Sequence, residues 1–545
     1  MSSGHVTPPG ARAAASLLLL RDGAAGLEVL MMRRAEREDD QRSGVAVFPG
    51  GVLDARDREA HAFCVGSEDA TMSRRLGLPA GGLDYAVAAL RECFEEVGLL
   101  LVDRPFDAEL AEAWRNRMQT GDASAADLCA ALDVRLDLHD VVYYSHWLTP
   151  QSVPKRFDTR FFVAPAPAGQ EARADMGEAQ ETLWLTPQAA LDPARGLKLL
   201  PVTQRTLQEM ARHADVAGAM AAARALTHIP LTLPRVGQTA QGRRVVLPDE
   251  LPYAELGRLD PDGHGECFAD LRPGRAVRLS PHVLRVTAPN PGMMTGPGTN
   301  AYLVGAGDAW TVIDPGPDDA GHVQALLGSA PGRIVRILVT HTHVDHSPAA
   351  RALARAPGAP VFGRRPLHPH GQDASFDPAQ ELSHGERLQL AEGVTLRVIH
   401  TPGHASNHLC YLLEEEKTLF TGDHVMQGST VVINPPDGDM AAYLGALRAL
   451  LDEPIEWLAP GHGYLVAEPR AVLEGLIRHR LAREAKVLQA LQRQSPAPLD
   501  GLLAEVYADV PAPLHPVARR SLLAHLLKLH ADGAAQPDGQ AWSAR

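Results

Sequence analysis

The segment His341-Thr342-His343-Val344-Asp345-His346 follows at once on the apolar, β-branched run Ile334–Val339, so its imidazoles stand where a buried strand opens into a loop. Neutral imidazoles and carboxylates are the ligands zinc takes when thiolates are absent. Alternating positions leaving a strand aim His341 and His343 at one ion, and Asp345 and His346, a step further on, face a second. The same design recurs three times. Leu396–Ile399 exits through Thr401-Pro402-Gly403-His404, Thr418–Phe420 through Thr421-Gly422-Asp423, and Trp457–Leu458 through Pro460-Gly461-His462-Gly463. Four strand ends then deliver metal-binding groups to one edge of a sheet, and the flanking glycines permit the tight turns this needs. Few arrangements other than a layered α/β domain can do that.

This domain does not account for the whole chain. At 545 residues, a prior of about 150 per domain gives three or four units. Composition is ordinary for a globular protein, at 45% hydrophobic and 22% charged, which excludes a disordered or collagenous chain. The net charge of -14 argues against a broad, non-specific nucleic-acid surface. The five cysteines (Cys64, Cys93, Cys129, Cys267, Cys410) are odd in number and contain no Cys-x-x-Cys. Neither a disulfide framework nor a thiolate zinc site is expected, and a cytoplasmic location fits. No apolar run reaches the roughly 20 residues that cross a bilayer. Ala13–Leu20, behind Arg12, mimics a signal peptide, but Arg21-Asp22-Gly23 and the second apolar run Leu27–Met32 make it a β-hairpin.

Five segments are read along the chain: 1–235, a linker region 236–280, ordered or of a few irregular strands, where Pro, Gly and scattered charge erase periodicity, an α/β domain 281–467, a helical or winged-helix tail 468–532, and a flexible C-terminus 533–545. Within the first, Leu83, Val87, Leu90 and Phe94 recur at helical spacing over Asp84–Val97, and Gly98 supplies the stop. Strands are expected at Val141–Trp147 and Arg160–Val163, and an Ala-rich helical stretch over Leu207–Thr227.

Taken in order, residue type and context, His341-x-His343-x-Asp345-His346 with His404, Asp423 and His462 resembles the metallo-β-lactamase superfamily. The resemblance covers about residues 282–480 and implies an αββα sandwich. It implies His341, His343 and His404 on a first zinc, Asp345, His346 and His462 on a second, and Asp423 bridging the two, with Asp345 also a catalytic candidate. Asp314, in Thr311-Val-Ile-Asp-Pro-Gly316, matches the family's supporting aspartate. Two zinc ions can hold a bridging water whose pKa falls from 15.7 to about 7, and they stabilise a developing oxyanion. The expected reaction is hydrolysis of an ester-like bond, and the metals alone do not separate thioester, lactam and phosphodiester.

Asn290-Pro-Gly-Met-Met-Thr-Gly-Pro-Gly-Thr-Asn300, Gly428-Ser-Thr-Val431 and Arg478-His-Arg-Leu-Ala-Arg-Glu484 are similar to the branch with lactamase-like endoribonucleases and a winged-helix tail. Such a tail can meet single-stranded RNA. From Ala471 to His530, however, eight Lys/Arg face five Asp/Glu, a slight phosphate-binding footprint. A tail that packs on the hydrolase or makes an oligomer contact fits equally.

The second constellation is Arg91-Glu92-Cys93-Phe94-Glu95-Glu96-Val97-Gly98. Glu92, Glu95 and Glu96 share one helical face. Hard oxygen ligands so arranged suit Mg²⁺ or Mn²⁺ bridging to a diphosphate. With Gly50-Gly51 after a strand, the pattern resembles the Nudix box. That implies an α/β/α fold, Glu92, Glu95 and Glu96 as metal ligands, Glu95 and Glu96 as catalytic groups, and Arg91 as partner of a loop carboxylate. An insertion over roughly residues 52–77 splits the box, and Leu83, with Asp84 beside it, replaces the pattern's first glutamate. This split form, with Trp147-Leu-Thr-Pro150 and Arg156-Phe-Asp-Thr-Arg-Phe-Phe162, is similar to a branch that includes coenzyme A diphosphatases.

The expected protein is an α/β multidomain hydrolase: a Nudix half acting on a nucleoside diphosphate derivative such as coenzyme A, and a two-zinc half acting on a thioester or phosphodiester. Acyl-CoA would unite the two. The alternative is an RNA-processing endoribonuclease with an inactive or regulatory Nudix domain.

Overall fold

The computed structural model describes residues 7–34, 43–175, 177, 179–355 and 358–545. The chain divides into two compact units. The first runs to Val236 and takes in Asp262–His264, and the second comprises Gly237–Pro261 and Gly265–Arg545.

The first unit is built on the strand Ala11–Gly23. It pairs antiparallel with Gly26–Arg34 as a hairpin and parallel with Arg156–Pro165, at the centre of a nine-stranded sheet among the described residues. Leu17 and Leu19 point to one side of that sheet, where the helix Gly82–Val97 packs. Leu18 and Leu20 point to the other, against Leu207 and Met210 of Pro201–Met210 and Met220 of Val216–Ala225. Burial on both faces explains why the strand reads as an uninterrupted apolar run. The result is a helix–sheet–helix sandwich. The insertion after Val52 holds a 3-10 helix, Ala55–Phe63, and the helix Asp69–Leu76. Leu83 is buried against this core, where a glutamate would meet apolar side chains.

In the second unit, a seven-stranded sheet from Ala276–Ser280 to Gln380–Glu381 lies against a five-stranded sheet from Arg387–Ala391 to Trp457–Pro460. Tyr302, Val304 and Ile313 of one sheet interlock with Val398, Tyr411 and Phe420 of the other. Ala320–Ser329 and Ala349–Arg355 cover the first sheet's outer face. Met440–Leu450 and the start of Pro469–Arg493 cover the second's. This is an αββα sandwich.

Two stretches, the expected linker region and the expected flexible C-terminus, carry regular structure. The stretch 236–280 carries the strand Gly242–Val246, the helix Tyr253–Leu259 and the strand Ala276–Ser280, which opens the larger sheet. It is anchored by a charged pair that apolar periodicity does not register: Glu255 and Arg285 are both buried and joined by hydrogen bonds of 2.6 and 2.8 Å. At the other end, 533–545 is ordered, because Ala535–Asp538 and Ala541–Ala544 form a hairpin that pairs with Ala497–Pro498. With Leu499–Val506 and His515–Ala531 it completes a winged helix, Trp542 closing its small core. Among the described residues, no helix is long and apolar enough to cross a membrane.

Candidate metal centre and acidic helix

The strand Arg333–Leu338 ends just before Thr340, and His341, His343, Asp345 and His346 follow in the loop. Val394–His400 leads to His404, Thr418–Gly422 to Asp423, and Trp457–Pro460 to His462. All seven side chains meet at one end of the sandwich. His343 Nδ1 lies 2.9 Å from His341 Nε2 and 3.0 Å from His404 Nε2. His346 Nε2 and His462 Nε2 are each 3.4 Å from Asp345 Oδ2 and 3.3 Å from Asp423 Oδ1. The other oxygen of Asp423, Oδ2, is 3.7 Å from His404 Nε2. Three triads therefore have ligand atoms within 4.8 Å of one another: His341–His343–His404, His341–His346–Asp423 and Asp345–His346–His462. Asp423 turns one oxygen toward each side.

This arrangement fits a pair of divalent cations. His346 Nε2, His462 Nε2 and Asp423 Oδ1 are buried and have no hydrogen-bond partner, an expensive state that a cation among them would relieve. A Cβ at Gly461 would sit 2.7 Å from His346 Cε1 and 2.8 Å from Asp423 Oδ1, so only glycine leaves the centre its room. The far ring nitrogens are tied down as ligands require. His346 Nδ1 lies 2.9 Å from Asp314 Oδ2, His404 Nδ1 2.7 Å from the Val432 carbonyl, and His462 Nδ1 3.2 Å from that of Gly298. Electrostatics divides the site. Burial and neighbouring imidazoles push His341 well below its usual range, and burial with His404 pushes His343 to about 3. Burial opposes protonation of His462 too, yet Asp423 and Asp345 raise it to about 9. The two carboxylates thus demand positive charge on one side, while the first triad presents neutral nitrogens.

In the first unit, Arg91 lies where a structural partner was expected. It donates to Asp57 at 2.7 and 3.3 Å, to Glu92 at 2.8 Å and to Glu95 at 3.3 Å. The carboxylate is Asp57, on the insertion's 3-10 helix rather than in a loop, where no spacing rule marked it. Glu96 accepts from the Gly50 amide at 2.8 Å. Glu92 and Glu95 share the donor Arg91 while Glu96 is held by Gly50, and the three carboxylates, though on one helix face, are not among the converging triads found among the described residues. A Cβ at Gly51 would lie 2.4 Å from the Glu92 carboxyl carbon, so this glycine opens the space beside the carboxylates. Burial pushes Glu95 up to about 7 against the pull of Arg91.

Sequence reasoning missed Glu255, which also accepts from the Leu465 amide at 2.7 Å beyond His462, a backbone contact that leaves no motif. Arg480 lies in the stretch Arg478–Glu484 that the sequence singled out, but without a role; it donates to the Val431 carbonyl next to the one that holds His404.

Comparison with known proteins agrees with this architecture. The model of the metallo-beta-lactamase superfamily matches residues 294–462, that of the NUDT19 Nudix domain residues 78–200, and that of the beta-lactamase associated winged helix domain residues 499–542. A beta-lactamase-like protein 2 homolog of Drosophila melanogaster is 32% identical over 47% of this chain and 90% of its own length. Lactamase-like protein ptaB of Pestalotiopsis fici is 30% identical over 43% and 74%. An atrochrysone carboxyl ACP thioesterase of Aspergillus chevalieri is 35% identical over 39% and 67%. The chain belongs to the metallo-β-lactamase superfamily of hydrolases, and it joins that fold to a Nudix domain ahead of it and a winged-helix domain behind it.

Proposed function

We propose that the chain is a bifunctional metal-dependent hydrolase, whose second unit cleaves a thioester with two zinc ions and whose Nudix unit cleaves a nucleoside diphosphate derivative such as coenzyme A or acyl-CoA. The observation that carries it is Asp423, with one oxygen toward His346 and His462 and the other toward His404. His341, His343 and His404 would hold one zinc, Asp345, His346 and His462 the other. Cations there supply Lewis acidity and make water a competent nucleophile near pH 7. Asp345 takes up the proton that the attacking water releases, with Thr299 Oγ1 at 3.5 Å to steady its Oδ2. Thioester chemistry is favoured over RNA by the cavity above these residues. It measures about 1050 Å³, the size of a site for one small molecule, and Met293, Met294, Met426 and Val431 give part of its lining an apolar character. A relative's name as a thioesterase supports the same reading.

In the Nudix unit, Glu92, Glu95 and Glu96 would hold Mg²⁺ or Mn²⁺. Glu95, at about 7, is matched to accept a proton at neutral pH.

The test is incubation of metal-loaded protein with acyl-CoA while free thiol and 3′,5′-ADP are followed. Both products are expected. Release of neither, with cleavage of a single-stranded oligonucleotide instead, replaces this reading with the endoribonuclease one.

A further inference from the structure

The cavity over the metal centre has a wall that the lactamase fold does not supply. Besides His343, Asp345 and Asp423, its lining includes Tyr507, Pro511, Leu514 and Val517 of the C-terminal tail and three arginines, Arg480, Arg483 and Arg520. These arginines are in different electrostatic states. Arg483 is neutralised, since Asp509 accepts from it at 2.7 and 3.0 Å. Arg480 is only 2% exposed and donates to the Val431 carbonyl, and its guanidinium lies 5.4 Å from the Tyr443 ring centroid. Its Nε has no partner, and no carboxylate among the described residues pairs with it. Arg520, on the helix His515–Ala531, is exposed and likewise has no carboxylate partner among the described residues.

A buried guanidinium is normally matched by an anion, because a neutral carbonyl and an aromatic face offset little of its lost hydration. Arg483, on the same helix, has such a match and Arg480 has none. The cation that remains lines the cavity that also contains the candidate metal centre. We propose that Arg480 and Arg520 form an anion-binding subsite that grips a carboxylate or phosphate of the substrate, remote from the bond being cleaved. The inference rests on the thioester reading and narrows it: the substrate is an acyl thioester with a negative charge at the end facing the tail. The charge belongs either to an acidic acyl group or to the phosphates of the carrier thiol.

The experiment uses the zinc-loaded 545-residue chain with glutaryl and pentanoyl thioesters, each on N-acetylcysteamine and on coenzyme A. Because charge-assisted hydrogen bonds contribute about 1.5–3 kcal/mol, Arg480→Gln is expected to lower kcat/KM for the anionic substrate relative to its neutral partner about tenfold or more. Arg520→Gln, exposed and harmless to the core, is expected to lower the same ratio by a smaller factor. If the glutaryl-to-pentanoyl ratio falls, the charge sits on the acyl group. If the coenzyme A-to-N-acetylcysteamine ratio falls, it sits on the carrier. If neither ratio moves in either variant, the subsite is wrong. Should the parent protein hydrolyse no thioester, the thioester reading fails separately. Calorimetric titration of glutarate and inorganic phosphate into parent and variants then decides the subsite: weaker binding in both variants sustains it, and equal binding overturns it.

Discussion

Asp314 Oδ2 lies 2.9 Å from His346 Nδ1 and also accepts from Thr340 Oγ1 at 2.7 Å. Thr340 Oγ1 is in turn 3.0 Å from His341 Nδ1. One buried carboxylate therefore orients an imidazole in each half of the centre, directly for His346 and through a hydroxyl for His341. Removing such support typically costs about 10–100-fold in metal affinity. Asp314→Ala is expected to weaken both metals by that order, and Thr340→Val mainly the one held by His341. Chelator competition with zinc reads both constants, and an unchanged Asp314→Ala profile would show that the imidazoles orient themselves.

Substitution of two glycines is expected to separate the activities proposed for the two units. Gly461→Ala would drive a Cβ against His346 and Asp423, while Gly51→Ala would drive one against the Glu92 carboxylate. Misplacement of reacting groups by about 1 Å costs on the order of a hundredfold in rate. Gly461→Ala is expected to remove thiol release and leave 3′,5′-ADP release intact, and Gly51→Ala to do the opposite. Loss of both products in either variant would mean that the two centres do not work independently.

The seven residues that converge in the candidate metal centre were legible because each follows an apolar strand and sits beside a glycine or another of the seven, a local pattern that survives without coordinates. The Nudix helix was legible for the same reason, since Leu83, Val87, Leu90 and Phe94 mark its buried face. What the sequence hid depends on pairs far apart in the chain. Glu255 and Arg285 look like ordinary surface charges until the fold buries them together. Asp57 looks like one acidic residue among several in an insertion until Arg91 reaches it. The winged-helix tail was expected by resemblance, but its closing hairpin was read as a flexible end, because Ala535–Asp538 and Ala541–Ala544 are too short and polar to alternate and only Trp542 hints at a core.

His322 gives the second unit an acid-sensitive point away from the metal ligands. Burial pushes it down to about 4 from an ordinary 6.5. A base whose pKa is depressed on folding stabilises the native state above its unfolded pKa, and that stability drains away as pH falls from 6.5 toward 4. At 1.36 kcal/mol per pKa unit, the loss reaches up to about 3 kcal/mol. His322→Leu is expected to flatten the decline of the unit's thermal midpoint between pH 7 and 5. A decline as steep as the parent's would assign the acid sensitivity elsewhere.

Glu255 links the stretch before the larger sheet to the loop beyond His462. It accepts twice from Arg285 and once, at 2.7 Å, from the Leu465 amide. Taking one partner from a buried ion pair leaves the other charged and unmatched, at a cost of about 3–5 kcal/mol, whereas replacing both with apolar side chains is often neutral. Glu255→Ala is expected to lower stability by that amount and to weaken zinc binding at the His462 side, because the Leu465 amide loses its acceptor. Glu255→Leu with Arg285→Met should recover most of the stability but not the metal affinity, since no apolar side chain can hold Leu465. Calorimetric unfolding and zinc competition on the same variants separate the two effects. If the double variant restores both, the pair serves the fold alone and the stretch Gly237–Pro261 has no part in setting the metal centre.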